Sequence, residues 1–395
     1  MATEPLAGVR VLDLTNVLAG PFACYQLALM GAEVIKVERP GSGDLARVLG
    51  AHPERNAAGM GISFLAQNAG KKSVTLNMKS AKGKALLKRL IQGADVLVEN
   101  FRPGVMDRLG LGYEVLKAEN PQLIYCSISG FGQTGPRKND PAYDQIVQGI
   151  SGVMSITGAA DTAPYRVGYP LADTVGGLTA AFSVTAALNA SPRGAYLDIS
   201  MTESVIATMG WVVSNYLIGG VVPGPNGNEN TTSAPSGTLA TADHPINIAA
   251  NRDTQWQALV RHLGRPDLEE RPEYRTREDR KRNRDALREE LETLLRTRPA
   301  AEWVAELNAI GVPSGPVLSV AETLADAQIK ERGLIGDIAV GEEVVQLAGS
   351  PVVMNGARAS AATPPPGLGA HNTEIWSELG LSEQEINTLL EEGVI

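Results

Sequence analysis

The sequence predicts an α/β protein with a large domain built on a parallel sheet and a smaller α+β domain. Strand-like and helix-like segments alternate through residues 1–135, the signature of a sheet wrapped by helices. A stretch rich in Gly, Pro, Asn and Ser, at 221–236, then separates this half from a second set of helices. The chain of 395 residues also exceeds one ordinary core, since domains run to roughly 100–200 residues.

VRVLDLT, at 9–15, is the first buried strand, and LAGPFACYQLALMGA follows as a helix. EVIKVER, at 33–39, is the second strand, which Pro40 and Gly41 stop. KSVTLNM, at 72–78, is the third, after which Ser80 caps the helix AKGKALLKRLIQGA. DVLVENF, at 95–101, and LIYCSISGFG supply the fourth and fifth, and AYLDISM, at 195–201, a late strand leading into a helical run. This order places the loops after Thr15, Arg39, Met78, Phe101 and Ile128 on the carboxyl edge of the sheet, where open α/β folds bind ligands.

The large domain is expected over 1–220, a linker or mobile loop over 221–236, and the small domain over 237–325. Residues 326–395, ending in a helix-turn-helix pattern, are expected to return and pack on the large domain. The stretch RTREDRKRNRDALREELETLLR alternates in sign at three- and four-residue spacing, which marks a solvated helix face more than a nucleic-acid surface.

Composition narrows the function. The formal charge of -9 argues against nucleic acid as a partner, while local fields still admit small anions. The opening MATEPLAGVR lacks a signal-peptide pattern and no run reaches the ~20 uninterrupted apolar residues of a membrane span, so a cytoplasmic protein without membrane contact is expected. Cys24 and Cys126 lie in apolar runs, as buried thiols of a reducing compartment do. His52, His244, His262 and His371 are scattered without ligand spacing, so no metal is expected. The fingerprint GxGxxG is absent from the first turn, TNVLAGP, which removes the main support for a nicotinamide or flavin.

In RVGYPLADTVGGLTAAFSVTAAL, Asp173 falls where an extended run meets a long apolar helix, because Pro170 discourages helix before it. An aspartate there is ordinarily an N-cap. Gly176 and Gly177, each costing the helix ~1 kcal/mol, point instead to a place where a ligand or backbone must come close.

These segments, together with PLAGVRVLDLTNVLAGPFA, GAEVIKVERPGSGD, NAGKKSVTLNMKSAKGK, ADVLVENFRPGVMDRLGLGYE, YCSISGFGQTGP and YDQIVQGISG, resemble the class III CoA transferases over nearly the whole chain. The resemblance implies a Rossmann-like large domain, an interlocked homodimer, and coenzyme A carried as acyl-CoA with a small carboxylic acid as second substrate. It puts the nucleophile at Asp173. It points for CoA to Val17, Leu18, Arg39, Leu76, Met78 and Lys79, and further to Asn100, Phe101, Arg102, Arg108 and Tyr143. Asn16 and Arg47 are the candidates for contact with the acid, a dicarboxylate activated by succinyl-CoA. PGPNGNENTTSAP matches the family's lid region without its glycine run.

Two rival readings remain. The α-methylacyl-CoA racemases resemble this fold, but their histidine base is replaced here by Tyr143, and a tyrosine of ordinary pKa ~10 is a poor base at neutral pH. A non-catalytic acyl-CoA-binding protein is the third reading, and Asp173 is what separates it from the first.

Overall fold

The computed structural model describes residues 4–395. Six parallel strands form its main sheet: β1 (Arg10–Asp13), β2 (Glu33–Glu38), β3 (Lys71–Thr75), β4 (Val96–Glu99), β5 (Ile124–Ser129) and β6 (Ala195–Ser200). Their spatial order is β3-β2-β1-β4-β5-β6, with β1 paired in parallel to both β2 and β4. That order is the doubly wound arrangement, and it reverses between β1 and β4.

Strand residues alternate between the two faces. Leu12, Ile35, Val74 and Leu97 join one core with Leu86, Leu87 and Leu90 of the helix Ala81–Gln92. Val11, Val34, Val96 and Val98 join the other with Cys24 and Leu27 of the helix Ala19–Leu29 and Ala180 and Val184 of the helix Leu171–Leu188. Burial on both faces is why these strands are near-continuous apolar runs. The helix Leu171–Leu188 is long and apolar enough to cross a membrane, but its small residues Ala172, Gly176, Gly177 and Ala180 are buried against this second core.

The C-terminal helices Asn372–Glu378 and Glu383–Glu391 close the first core with Trp376, Ile386 and Ile395. Backbone and side chains seal this contact: Asn77 N–H donates to Val394 O at 2.7 Å and Thr75 N–H to Asn372 Oδ1 at 2.8 Å. An antiparallel hairpin, β10 (Ile335–Val340) with β11 (Glu343–Ala348), precedes them.

The chain divides into two compact units, one of residues 4–153, 166–221 and 329–395, the other of 154–165 and 222–328. The second carries the antiparallel strands β7 (Ser236–Leu239), β8 (Ile246–Ala249) and β9 (Ser314–Pro316), and its own core around Trp256, Leu291 and Trp303. Two boundaries differ from the sequence expectation. Residues 154–165 cluster with the second unit, where Gly227 N–H donates to Gly158 O at 2.8 Å. The 221–236 stretch, expected as a linker or mobile loop, has no helix or strand before β7 but is tied down: Glu229 pairs with Arg288 at 2.6 Å and buried Arg280 donates to Ala234 O at 2.9 Å. In the charged stretch, Leu287, Leu291 and Leu295 are buried along the helix Arg284–Leu295, while Arg296 pairs with Glu292 at 2.7 Å.

Candidate active site

The loops that leave β1, β4 and β5 meet at the point where the strand order reverses. They line a cavity of about 240 Å³. Asn16, Val17, Leu18 and Ala19 come from the first loop; Asn100, Phe101 and Arg102 from the second; Gly130 and Phe131 from the third. Lys138, Asp140, Tyr143 and Asp173 are among the other lining residues.

Asp173 stands on the first turn of the helix Leu171–Leu188, three residues beyond Pro170, which occupies the cap position. The N-cap role that a helix-start aspartate usually plays is therefore not its role here. Two glycines bring its helix close to its neighbours. A Cβ on Gly177 would lie 2.6 Å from Ala19 O, and one on Gly176 2.8 Å from Met201 Cγ.

Asp144 braces the same helix end. Its Oδ1 accepts from Ala172 N–H at 2.8 Å, and its Oδ2 from Gln148 Nε2 at 2.8 Å and Arg166 Nη2 at 3.1 Å. Burial of Asp173, reinforced by the charge of Asp144 and only partly offset by Arg166, pushes its carboxyl up to about 7. Such a group is half ionised near neutrality and, once ionised, is poorly solvated; both properties suit a nucleophilic carboxylate.

A second carboxyl lies under the β4 loop. Glu99 accepts from Phe101 N–H at 2.8 Å and receives the Ser127 hydroxyl, yet burial pushes it up to about 7.

The expected CoA residues separate into two groups. Val17, Leu18, Asn100, Phe101, Arg102 and Tyr143 line the cavity, as does Asn16 from the acid-binding pair. Arg39, Lys79 and Arg108 are exposed cations outside the lining, after β2, after β3 and on the helix Val105–Leu109. Met78 packs against the first core, and Leu76 is buried within it.

Three of these assignments need correction. Arg47 is buried, grips Glu38 with two bonds of 2.7 Å, donates to Pro366 O and lies over the Phe64 ring, so it has no donor left in the cavity for a substrate. Leu76 offers no side chain to a ligand, because that side chain fills the core. Asn100 spends its amide on the chain itself, accepting from Asn16 N–H and donating to Asn16 O, both at 2.8 Å. Lys138 and Phe131 were missed. The glycine-rich FGQTGP after β5 was the available signal, since carboxyl-edge loops of this kind bear ligand residues.

Residues 6–372 match CoA-transferase family III. The chain belongs to that family. As a family III transferase it is an enzyme that moves CoA between carboxylic acids. It is 40% identical to the acetyl-CoA:oxalate CoA-transferase of Acetobacter aceti, over 89% of this chain and 90% of that one. It is 37% identical to the succinyl-CoA:glutarate CoA-transferase of Mus musculus, over 99% of this chain and 90% of that one. Among solved structures, a CAIB/BAIF family protein from Brucella suis superposes on the transferase with a TM-score of 0.84 at 36% identity, covering 96% of this chain and all of that one.

Proposed function

We propose that this transferase moves CoA from succinyl-CoA to a short dicarboxylate, with Asp173 as the covalent carrier. The observation that carries the reading is the unpartnered, half-buried Asp173 carboxyl at a cavity on the switch point of the sheet.

A carboxylate oxygen of Asp173 attacks the thioester carbonyl, forming a mixed anhydride and releasing CoA thiolate. The thiolate attacks the aspartyl carbonyl, which frees the donor acid and leaves an aspartyl thioester. The acceptor carboxylate attacks that thioester, and the released thiolate then takes the acceptor acyl group from the second anhydride, restoring Asp173. Each step exchanges one activated acyl group for another, so the thioester energy is kept throughout.

The chain's own residues support these steps. The N–H groups of Leu18 and Ala19, at the start of the helix Ala19–Leu29, meet no acceptor among the described residues, and both residues line the same cavity as Asp173. Donors so placed stabilise the oxyanion of each tetrahedral intermediate. Arg102 and Lys138 are exposed cations in the lining. Arg39 and Lys79 follow the same sheet edge outward, and at a strand spacing of ~4.8 Å β3 lies about 10 Å from β1, within the span of an extended CoA.

Dicarboxylate use is supported by the similarity to the glutarate enzyme and by Asn16 in the lining, whose side chain makes no hydrogen bond among the described residues. Leu18 offers an apolar side chain where the formyl-CoA:oxalate enzymes have glutamine, which disfavours a small, doubly charged acid. The test compares kcat/KM for succinate, glutarate, mesaconate, oxalate and a monocarboxylate with succinyl-CoA as donor. Glutarate or a similar diacid should lead; efficient transfer to oxalate would overturn the substrate assignment and leave the transferase standing.

We further propose a homodimer in the cytoplasm. The apolar helix Trp211–Gly219 has no buried residue, with Trp211 73% and Ile218 88% exposed, and a second copy is the partner that would cover it. Light scattering on the purified protein decides the first point. For the second, Cys24 and Cys126 are free and buried, and burial holds both thiols well above their ordinary range.

A further inference from the structure

The turn that forms one wall of the cavity is held by side chains from neighbouring strands and loops. Thr15 N–H donates to Asp13 at 2.9 Å and Thr15 O accepts from Lys36 Nζ at 2.9 Å. Asn16 is clamped through both its N–H and its carbonyl by Asn100. Val17 N–H donates to Asp44 Oδ1 at 2.9 Å. Within this clamp Val17 adopts φ 68°, a left-handed conformation that a β-branched residue rarely enters. Such a conformation persists only where its surroundings over-determine it.

Asp44 is itself fixed. It is buried, its Oδ1 also accepts from Ala46 N–H at 2.9 Å, and its backbone N–H donates to Glu38 at 3.0 Å. Its Oδ2 lies 2.9 Å from Lys36 Nζ and meets no other donor. Lys36 is buried and lies 3.8 Å from Asp13, which Lys71 approaches to 2.8 Å. Three elements of the sheet thus converge on one hydrogen bond to a strained residue.

We propose that Asp44 is a positioning residue for CoA transfer, which holds Val17 left-handed so that the backbone of Leu18 and Ala19 faces Asp173. The inference rests on the reading of Asp173 as the nucleophile. Without the Asp44 acceptor, Val17 relaxes to negative φ and the following N–H groups turn away from the reacting carbonyl. The cations proposed for the distant end of CoA, Arg39 and Lys79, lie on other loops, so the loss belongs in kcat more than in KM.

Glycine enters the left-handed region freely, so the need for Asp44 should shrink in a Val17→Gly background. Asp44→Ala is expected to lower kcat by about tenfold or more with KM for acyl-CoA within about threefold, the scale set by misplacing a catalytic group. In the Val17→Gly background the same change should cost less than about threefold, because the turn no longer resists that conformation. If Asp44→Ala does not fold, Lys36→Met with Asp44→Ala removes both buried charges together, and because Lys36 also holds Thr15 O, the comparison reads only the part of the loss that Val17→Gly relieves. An equal loss in both backgrounds, or a loss confined to KM, overturns the proposal. Retained activity in Asp173→Ala would instead overturn the nucleophile reading, and the two failures are separate.

Discussion

Gly177 lies so close to Ala19 that a Cβ there would sit 2.6 Å from the Ala19 carbonyl oxygen. One helix turn earlier on the same helix is Asp173, and Ala19, which begins the helix packed against it, lines the same cavity. The glycine sets the distance between the nucleophile and the backbone donors that would receive its oxyanion.

Gly177→Ala should therefore push the two helices apart. Overpacking of a close helix contact costs about 1–3 kcal/mol, so thermal unfolding should move down by several degrees. Because the displaced helix carries Asp173, kcat should fall by more than tenfold, on the order expected for a displacement near 1 Å. Wild-type kcat in a folded Gly177→Ala protein would show that the helix spacing is irrelevant to the chemistry.

The pH dependence follows from the raised carboxyl of Asp173, pushed up to about 7 by burial first and by Asp144 second. Attack needs the ionised form, so kcat/KM should drop as pH falls below about 7, and a rate profile between pH 5 and 9 reads it. For stability the sign is opposite. A carboxyl whose folded pKa lies above its unfolded value stabilises at low pH and loses that contribution as pH rises through about 7. Asp173→Asn should accordingly be more stable than wild type at pH 8, by on the order of 1 kcal/mol or more and seen as a higher melting temperature, and by less at pH 5. A variant stabilised equally at both pH values would contradict the shift.

Glu99 is also raised to about 7, so it must be separated from Asp173 in that profile. Its oxygens serve Phe101 N–H and the Ser127 hydroxyl, a structural task that a neutral glutamine shares in part. Glu99→Gln should keep the acid limb of the profile in place. Disappearance of that limb would assign it to Glu99.

Arg47 tests the other side of the account. Its guanidinium neutralises buried Glu38, and breaking one half of such a pair costs about 3–5 kcal/mol. Arg47→Met should lower the melting temperature markedly while leaving the relative kcat/KM for different acids unchanged. A stable variant with altered acid preference would return Arg47 to the substrate.

The sheet was legible because its strands are buried on both faces and so stand out as short apolar runs between turn residues. Strand ends were less so: KSVTLNM continues past β3, since Leu76 is buried after the ladder ends at Thr75. The hairpin of Ile335–Val340 and Glu343–Ala348 went unread because its strands are mostly exposed and only a narrow face, with Ile338 and Leu347, packs on Tyr25 and Leu29. The charged residues misled in a different way. Asp13, Lys36 and Lys71 sit in strands, Asp44 and Arg47 at the cap and inside the short 3-10 helix Leu45–Val48, and each looks like an ordinary polar residue until its partner from another element is known. Arg47 was taken for a ligand residue for that reason. Asp173 was legible as a helix-start carboxylate followed by two glycines, whereas the close approach to Ala19 that explains Gly177 is visible only in three dimensions.

Tyr143, 68% exposed at the cavity, stands where the sequence resemblance expects the base of a racemase. A 2-methylacyl-CoA incubated with the protein in deuterated water should gain no deuterium beside the thioester carbonyl beyond the uncatalysed rate. Rapid, enzyme-dependent uptake would restore the isomerase reading.

The covalent role of Asp173 is the centre of the account, and hydroxylamine trapping reads it directly. Protein incubated with succinyl-CoA and hydroxylamine, then digested and examined by mass spectrometry, should carry a hydroxamate at Asp173. The modification should be absent without acyl-CoA and absent in Asp173→Asn. An actively transferring protein in which Asp173 stays unmodified while turnover continues would contradict a covalent aspartyl carrier.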